Sequence, residues 1–490
     1  MRARNIEIKK YVYYLILVSV LSLTFIFFLQ ELCEMWQTPK DKWCILSVVL
    51  SLVAVFLIRK IPLKKFEVWG ALICGALFLV FWFRHKEINV ANYGEVYFRV
   101  LAYTWISWML FVVLFVDLFR ASGILSFLRA NWWKLILYIL FVVITVTTNK
   151  EFLIPVLCPI FAFITTNKSK EEWLAVCDCA GIAYYISYVF MMTKSLLVAP
   201  EAFQSGRYMG VFLSVENMGA FCGMAFVCVL YLGIRIAHLP NRKWYSFIIP
   251  ILLAVYPIYG VLVNASRTTQ MALILTVLFA FVFMHRKGGA KETAKRFLFA
   301  LLAIVILAVG LFVLAKIFDK ELKSGKVYSP RQKYIIAHIA KLADDEHDSH
   351  YFEKGSILNA LDGFSSKRLR CWAEAAKQIE FEGHLYEIRE PLKFASPHNF
   401  FLQKMIEMGW IKGILFNAYI FASLGVGLYA CLKRDDSIVF PTLWMLYSIP
   451  VLGSTIISWN SILSYGLLLS ANIILFNVSY PKKNSKEGDC

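Results

Sequence analysis

Four positively charged side chains and one imidazole stand out by type and spacing. His398 lies in Ser396-Pro397-His398-Asn399. Read as a helix start, Ser396 is the N-cap and Pro397 the first helical position, which puts His398 in the first turn. The positive end of the helix dipole disfavours imidazolium there and favours the neutral, proton-accepting form. The alternative reading is a surface histidine that only caps the helix. Asn399 stands ready to orient His398 or a bound hydroxyl. Glu407 is placed to pair with Lys404 or Lys412.

The cations are Arg207, in Gly206-Arg207-x-x-Gly210, Arg267, directly after Ser266, and Arg368 with Arg370, shortly before Trp372. A guanidinium is a planar fork that pairs bidentately with phosphate oxygens and stays charged at any working pH. Taken singly, such an arginine commonly snorkels to lipid phosphates, and Arg368 or Arg370 is equally a solvated helix charge. Glu216, with Asn217 beside it, falls within an apolar run, where an acid is costly unless it contacts substrate or balances a cation such as Arg207.

The elements that must position these groups are membrane helices. Hydrophobic residues make up 59% of the 490, and only 17% are charged, which excludes an ordinary soluble protein. The net charge of +18 is dispersed between apolar runs rather than gathered on one domain, which argues against nucleic acid as a partner. Cysteines such as Cys222 and Cys228 lie inside apolar runs and read as small buried hydrophobes. The pattern predicts an all-α polytopic membrane protein with about 12–14 transmembrane helices. The predicted spans are residues 11–30, 43–58, 66–83, 100–118, 135–148, 152–166, 173–192, 211–234, 245–263, 271–284, 297–315, 411–432, 437–457 and 461–478. The first is read as an uncleaved span, because no small-residue cleavage pattern follows it.

Three regions result: an N-terminal transmembrane bundle (1–315), a large extracytoplasmic loop with surface helices and His398 (316–410), and C-terminal transmembrane helices with a short cytoplasmic tail (411–490). Alternate loops carry about two dozen Lys and Arg against roughly nine in the others, which predicts cytoplasmic termini. That alternation puts Arg207, Arg267 and His398 on one face, the outer one, although the count used none of them. Within the loop, residues 332–342 predict a helix lying along the membrane surface. Leu369, Trp372, Ala376 and Ile379 predict one packing face on a second helix. The run Asp344-Asp345-Glu346-His347-Asp348 has oxygen ligands suited to a divalent cation but reads as a solvated turn, so no metal is assigned.

Gly206-Arg207-x-x-Gly210 leading to Asn217 and Gly219, Ser266-Arg267 after a span, Arg368 before Trp372, and His398-Asn399-x-x-Leu402 continuing to Glu407-x-Gly409 and Gly413 resemble the O-antigen ligase and Wzy-type polysaccharide polymerase family. The resemblance covers about residues 205–418 and rests on the order and spacing of the motifs, each of them weak alone. The chain departs from the pattern at Glu216, where family members often have Pro, and at Gly383, which stands in place of a Gly-x-Gly.

The resemblance implies a membrane glycosyltransferase of GT-C-like class acting on a glycan carried by undecaprenyl pyrophosphate. Arg207, Arg267, Arg368 and Arg370 would neutralise the pyrophosphate, and His398 would take the acceptor's proton, with Asn399, Glu407, Asn217, Glu216 and Trp372 in support. The implied reaction is inverting and metal-independent, with no covalent intermediate and no cofactor. Expected partners are the lipid-linked oligosaccharide, an acceptor glycan or glycolipid, membrane lipids, a polysaccharide flippase and a chain-length regulator, at the bacterial cytoplasmic (inner) membrane. Polymerisation of repeat units and ligation of a finished glycan to lipid A core share this donor chemistry. A transporter or flippase is the reading from another class, and the lack of a visible repeat between the halves counts against it.

Overall fold

The computed structural model describes residues 2–30, 50, 53, 57, 132–134, 136, 137, 139–141, 143, 144, 170–200, 202–204, 207–212, 215–238, 243–284, 368–384, 399–432, 436–453 and 462–477. These are mostly helical. In chain order they form α1 (Arg2–Gln30), α2 (Lys170–Val198), β1 (Phe203–Gln204), β2 (Arg207–Tyr208), α3 (Val215–Ala237) and, after a 3-10 turn at Trp244–Phe247, α4 (Ile248–Asn264). They continue with α5 (Arg267–Met284), α6 (Arg368–Lys377), α7 (Phe400–Met408), α8 (Trp410–Leu432), α9 (Val439–Leu452) and α10 (Ile462–Asn477).

Among the described residues four helices are long and apolar enough to cross a membrane: Lys170–Val198, Val215–Ala237, Tyr245–Asn264 and Trp410–Leu432. Each overlaps a span expected from hydropathy, as do the shorter apolar helices α1, α5, α9 and α10. The spans expected at 43–58, 66–83, 100–118, 135–148, 152–166 and 297–315 lie wholly or partly outside the described residues, as do residues 332–342 and the acidic run.

α3 is the central helix. It packs against α2, α4, α5 and α9, and most of its length is buried. Within a bilayer, lipid tails are as apolar as leucine, so close packing of small residues drives helix association. Gly219 and Gly223 supply it, in a Gly-x-x-x-Gly spacing. A Cβ at Gly219 would stand 2.5 Å from Asn264 Oδ1, and one at Gly223 would stand 2.1 Å from Tyr447 Oη. The Tyr447 hydroxyl, carried on α9, donates to the Ala220 carbonyl at 3.0 Å. α4 contains Pro257, whose ring nitrogen has no hydrogen for the Leu253 carbonyl one turn back. The Tyr185 hydroxyl on α2 donates to that carbonyl at 2.8 Å, so the proline joint doubles as a helix–helix contact.

The bundle has two chemically distinct ends. At one, Asp178 of α2 accepts from Arg235 Nε (2.9 Å), Arg235 Nη2 (3.1 Å) and the Tyr231 hydroxyl (2.9 Å). Nearby, Trp173 Nε1 donates to the Ser437 carbonyl at 2.7 Å. At the other end the C-termini of α2 and α4 meet the N-termini of α3 and α5, with the β1–β2 hairpin between them.

That hairpin is a short non-helical insert in a mostly helical structure. Phe203 pairs with Tyr208, and Gln204 pairs with Arg207. Its trace in the sequence was Ser205-Gly206, a turn dipeptide between short extended segments.

Candidate functional site

Arg207 is placed by a strand rather than a helix. Tyr208 anchors that strand, its hydroxyl lying 3.1 Å from Ser195 Oγ and donating to the Ala199 carbonyl at 3.2 Å. The Met209 N–H donates to the Ala202 carbonyl at 2.9 Å. Gly210 follows with φ +58°, and a Cβ there would lie 1.7 Å from Ser195 Oγ, so only glycine lets the chain lie on the end of α2. Arg207 is thereby held half-buried at the end of the bundle.

Asn264, absent from the sequence-level candidates, is the joint of this end. Its side chain is fully buried, and Nδ2 donates to the carbonyls of Tyr208 (3.0 Å) and Val215 (2.7 Å), tying hairpin, α3 and α4 together. Its own carbonyl accepts from Arg207 Nε at 3.3 Å. Its Oδ1 is buried with no hydrogen-bond partner among the described residues. The available signal was an amide closing an apolar run, since a polar residue at the edge of a span needs a partner.

The next residue, Ala265, adopts φ 51°, and it is the only non-glycine residue with positive φ among the described residues. This left-handed step ends α4 and turns the chain directly into α5, at whose N-terminus Arg267 stands exposed. A cation at a helix N-terminus opposes the dipole by about 0.3–1 kcal/mol, a placement that an anion in front of it would compensate.

Three of the four expected arginines converge here. Arg207 Nη1 forms an ion pair with Glu216 Oε1 at 3.7 Å. Arg368, from far along the chain, donates from Nη1 to Thr268 Oγ1 at 3.1 Å, which docks α6 on the start of α5. Burial pushes the Arg207 guanidinium below its usual pKa; Glu216 opposes this and Arg267 adds to it. Burial also lowers Arg368, which Glu216 raises and Arg207 lowers. The groups are therefore close enough to alter one another's charging. Glu216 acts on Arg207 and Arg368, and Arg267 acts on Arg207.

Arg370 follows Arg368 by two positions, about 200° around α6, so one helix does not direct both toward Thr268. Glu216, expected inside a span, falls in the first turn of α3, because that helix opens at Val215 rather than at 211. Asn217 is beside it and half-buried.

The packing face of α6 differs from the one expected. Cys371 and Ala375 are buried and Ala376 is exposed, because the helix turns its Arg368–Cys371–Ala375 side inward. Trp372 is half-buried, and its Nε1 has no hydrogen-bond partner among the described residues. Past α6 the chain is stitched to α7 and the start of α8: the Trp410 N–H donates to the Glu380 carbonyl at 2.8 Å and the His384 N–H to the Ile406 carbonyl at 3.0 Å. A Cβ at Gly383 would lie 2.0 Å from the Glu407 carbonyl oxygen, so this single glycine allows the contact.

The α7 start is also corrected. Asn399 is the N-cap, extended at φ −151° and ψ 109°, with its Oδ1 accepting from the N–H groups of Phe401 (3.0 Å) and Leu402 (3.1 Å). The described helix thus opens at Phe400, not at Pro397, because Asn399, three residues after Ser396, takes the cap. This removes the first-turn dipole argument for a neutral imidazole. His398 itself lies outside the described residues. Glu407 accepts from Gln403 Nε2 at 2.7 Å and from Lys404 Nζ, a lysine only 1% exposed that also lies 5.7 Å from the Phe400 ring centroid. Of its expected partners, Lys404 is one that Glu407 takes.

Among the described residues no group of His, Cys, Asp and Glu is arranged to hold a metal ion. The arrangement that does exist brings Arg207, Arg267 and Arg368 to one end of the bundle beside Glu216. No family model, curated protein or solved structure matches the chain.

Proposed function

We propose that the chain is an integral-membrane glycosyltransferase, of GT-C-like class, that moves a glycan from undecaprenyl pyrophosphate to an acceptor hydroxyl at the outer face of the bacterial cytoplasmic membrane. The observation that carries this reading is the meeting of Arg207, Arg267 and Arg368, from three separate segments, at one end of a bundle of membrane-length helices. A lipid with a charged pyrophosphate head presents its anion at that depth, and guanidinium forks match its oxygens.

In the proposed reaction the acceptor oxygen attacks the anomeric carbon and the bond to the pyrophosphate oxygen breaks. The electron pair stays on the pyrophosphate, where the arginines stabilise the growing charge. His398 accepts the acceptor's proton, since an imidazole titrating near 6.5 is largely neutral at pH 7 without help from a helix dipole. Polymerisation of surface-polysaccharide repeat units is the preferred form of the activity.

The test is purified protein in lipid nanodiscs with a lipid-linked oligosaccharide, products resolved by gel and mass spectrometry, and His398→Ala and Arg368→Ala in parallel. A ladder of longer lipid-linked glycans, absent in His398→Ala and slowed at least tenfold in Arg368→Ala, is expected. Transfer only after adding a core-type acceptor would replace polymerase by ligase. Translocation of intact lipid-linked sugar without any transfer would refute the enzyme.

A further inference from the structure

Phe381, just past α6, is a large apolar side chain that the fold holds firmly and leaves uncovered. It is 68% exposed, yet the chain is pinned on both sides of it. The Glu380 carbonyl accepts from the Trp410 N–H at 2.8 Å, the His384 N–H donates to the Ile406 carbonyl at 3.0 Å, and His384 Nε2 lies 2.7 Å from the Gln378 carbonyl. Gly409, at φ +79°, lets this loop lie against the start of α8, since a Cβ there would stand 2.2 Å from the Phe381 carbonyl oxygen. Packing within the chain gives no reason for such a ring, because a phenylalanine left in water forfeits most of the stabilisation that burial supplies.

The place of its neighbour Trp410 says what covers it. α8 runs for 23 residues, about 35 Å, against a hydrocarbon core about 30 Å thick. Its first residue, Trp410, therefore falls at a boundary between bilayer and water, the level at which tryptophan is enriched. Trp410 is 44% exposed, and Ile414, Leu415 and Phe421 carry the exposed apolar surface on along α8. Phe381 meets Trp410 edge-on, with ring centroids 6.3 Å apart and planes at 65°. The face that lipid covers on α8 thus continues without a break onto the loop. Glu380 and Glu382 are exposed beside Phe381, and no Lys or Arg occurs from 378 to 384, so this surface is aromatic and not basic.

We propose that Phe381 and Trp410 form a bilayer anchor, with the loop from Gln378 to His384 setting the Phe381 ring into the acyl boundary just below the headgroups. The inference rests on the membrane part of the reading above and not on glycosyl transfer. It gives α6 two attachments: Arg368 on Thr268 at its start, and the lipid surface just past its end. A ten-residue helix held on both sides keeps Arg368 at a fixed depth.

The experiment places a photoreactive benzophenone amino acid in the full chain at one of three positions, in phosphatidylcholine nanodiscs, and measures lipid adducts by mass spectrometry after illumination. The positions are Phe381, Phe421 in the middle of α8, and Lys377, an exposed residue of α6 paired with Glu374 at 2.6 Å. Position 381 should yield lipid adducts within about twofold of position 421 and about tenfold above position 377. Adding anionic phosphatidylglycerol should leave that yield unchanged, since the anchor carries no basic residue. In parallel, Phe381→Ser should be cut after Glu380 or Glu382 by a Glu-specific protease about tenfold faster than wild type, the factor expected on withdrawing one largely inserted ring. Phe381→Trp, which keeps an interfacial ring, should be cut at the wild-type rate.

Adducts from position 381 to another stretch of the chain or to a second copy, a lipid yield no higher than at position 377, or equal cleavage of wild type and Phe381→Ser would each overturn the inference. Position 421 without lipid adducts would take α8 out of the bilayer, and the inference with it. No arm reads glycosyl transfer, so a chain that passes these tests and transfers no glycan refutes the activity alone.

Discussion

Replacing Asn264 by alanine tests whether one buried amide holds the candidate site together. Its Nδ2 makes two hydrogen bonds, at 3.0 and 2.7 Å, to carbonyls on two different segments, and the side chain is fully buried. Removing it strands the Tyr208 and Val215 carbonyls, at about 1–3 kcal/mol each, or about 2–6 in all. Part of this is returned because Oδ1 has no partner and its burial penalty, roughly 1–3 kcal/mol, also disappears. The expected net loss is about 1–3 kcal/mol. The assay is reversible unfolding in mixed micelles titrated with denaturing detergent, followed by tryptophan fluorescence, together with the affinity for undecaprenyl pyrophosphate. Affinity should fall with stability, because the Nδ2 bond to the Tyr208 carbonyl holds the strand that carries Arg207, although the main-chain carbonyl that accepts from Arg207 Nε remains. Asn264→Asp should be worse than Asn264→Ala, since it aims a buried carboxylate at two carbonyl oxygens. A variant Asn264→Ala within about 0.5 kcal/mol of wild type would refute the idea that this amide joins hairpin, α3 and α4.

Two further outcomes follow from the same end of the bundle. Ala265→Gly should stabilise the chain by about 0.5–1 kcal/mol in that unfolding assay, because relief of the left-handed Ala265, about 1–2 kcal/mol, exceeds the entropy that glycine adds to the unfolded chain, about 0.5–1. A loss of stability would show that the alanine methyl makes a needed contact. Burial pushes the Tyr208 hydroxyl up to about 12. A raised pKa means that its contribution to stability is complete below pH 10, the unfolded value, and is lost as pH rises from about 10 to 12. Tyr208→Phe should flatten the fall of stability over that window by up to about 1.4 kcal/mol per pH unit, and an unchanged slope would remove Tyr208 as a contributor.

Hydropathy alone made the membrane helices legible: α2, α3, α4 and α8 lie where apolar runs near twenty residues long predict them, because a bilayer demands length and apolarity from each segment separately. Residue type and spacing likewise singled out Arg207, Glu216, Arg267 and Arg368, since charged groups at the edges of apolar runs are costly without a partner. Cap competition was not legible: Ser396 and Asn399 are both good N-caps, and the choice of Asn399 depends on where α7 docks. Nor was the hairpin at Arg207, whose two-residue strands are too short for any periodicity.

Only the tertiary structure brought Arg368 to Thr268, 100 positions away, and made Asn264 the joint between segments. It also revealed the glycines at 219 and 383 as close-approach points. Hydropathy and capping belong to one segment at a time and can be read along the chain. The convergence of charges depends on which helix faces touch, and that is settled by packing between surfaces the linear pattern does not pair.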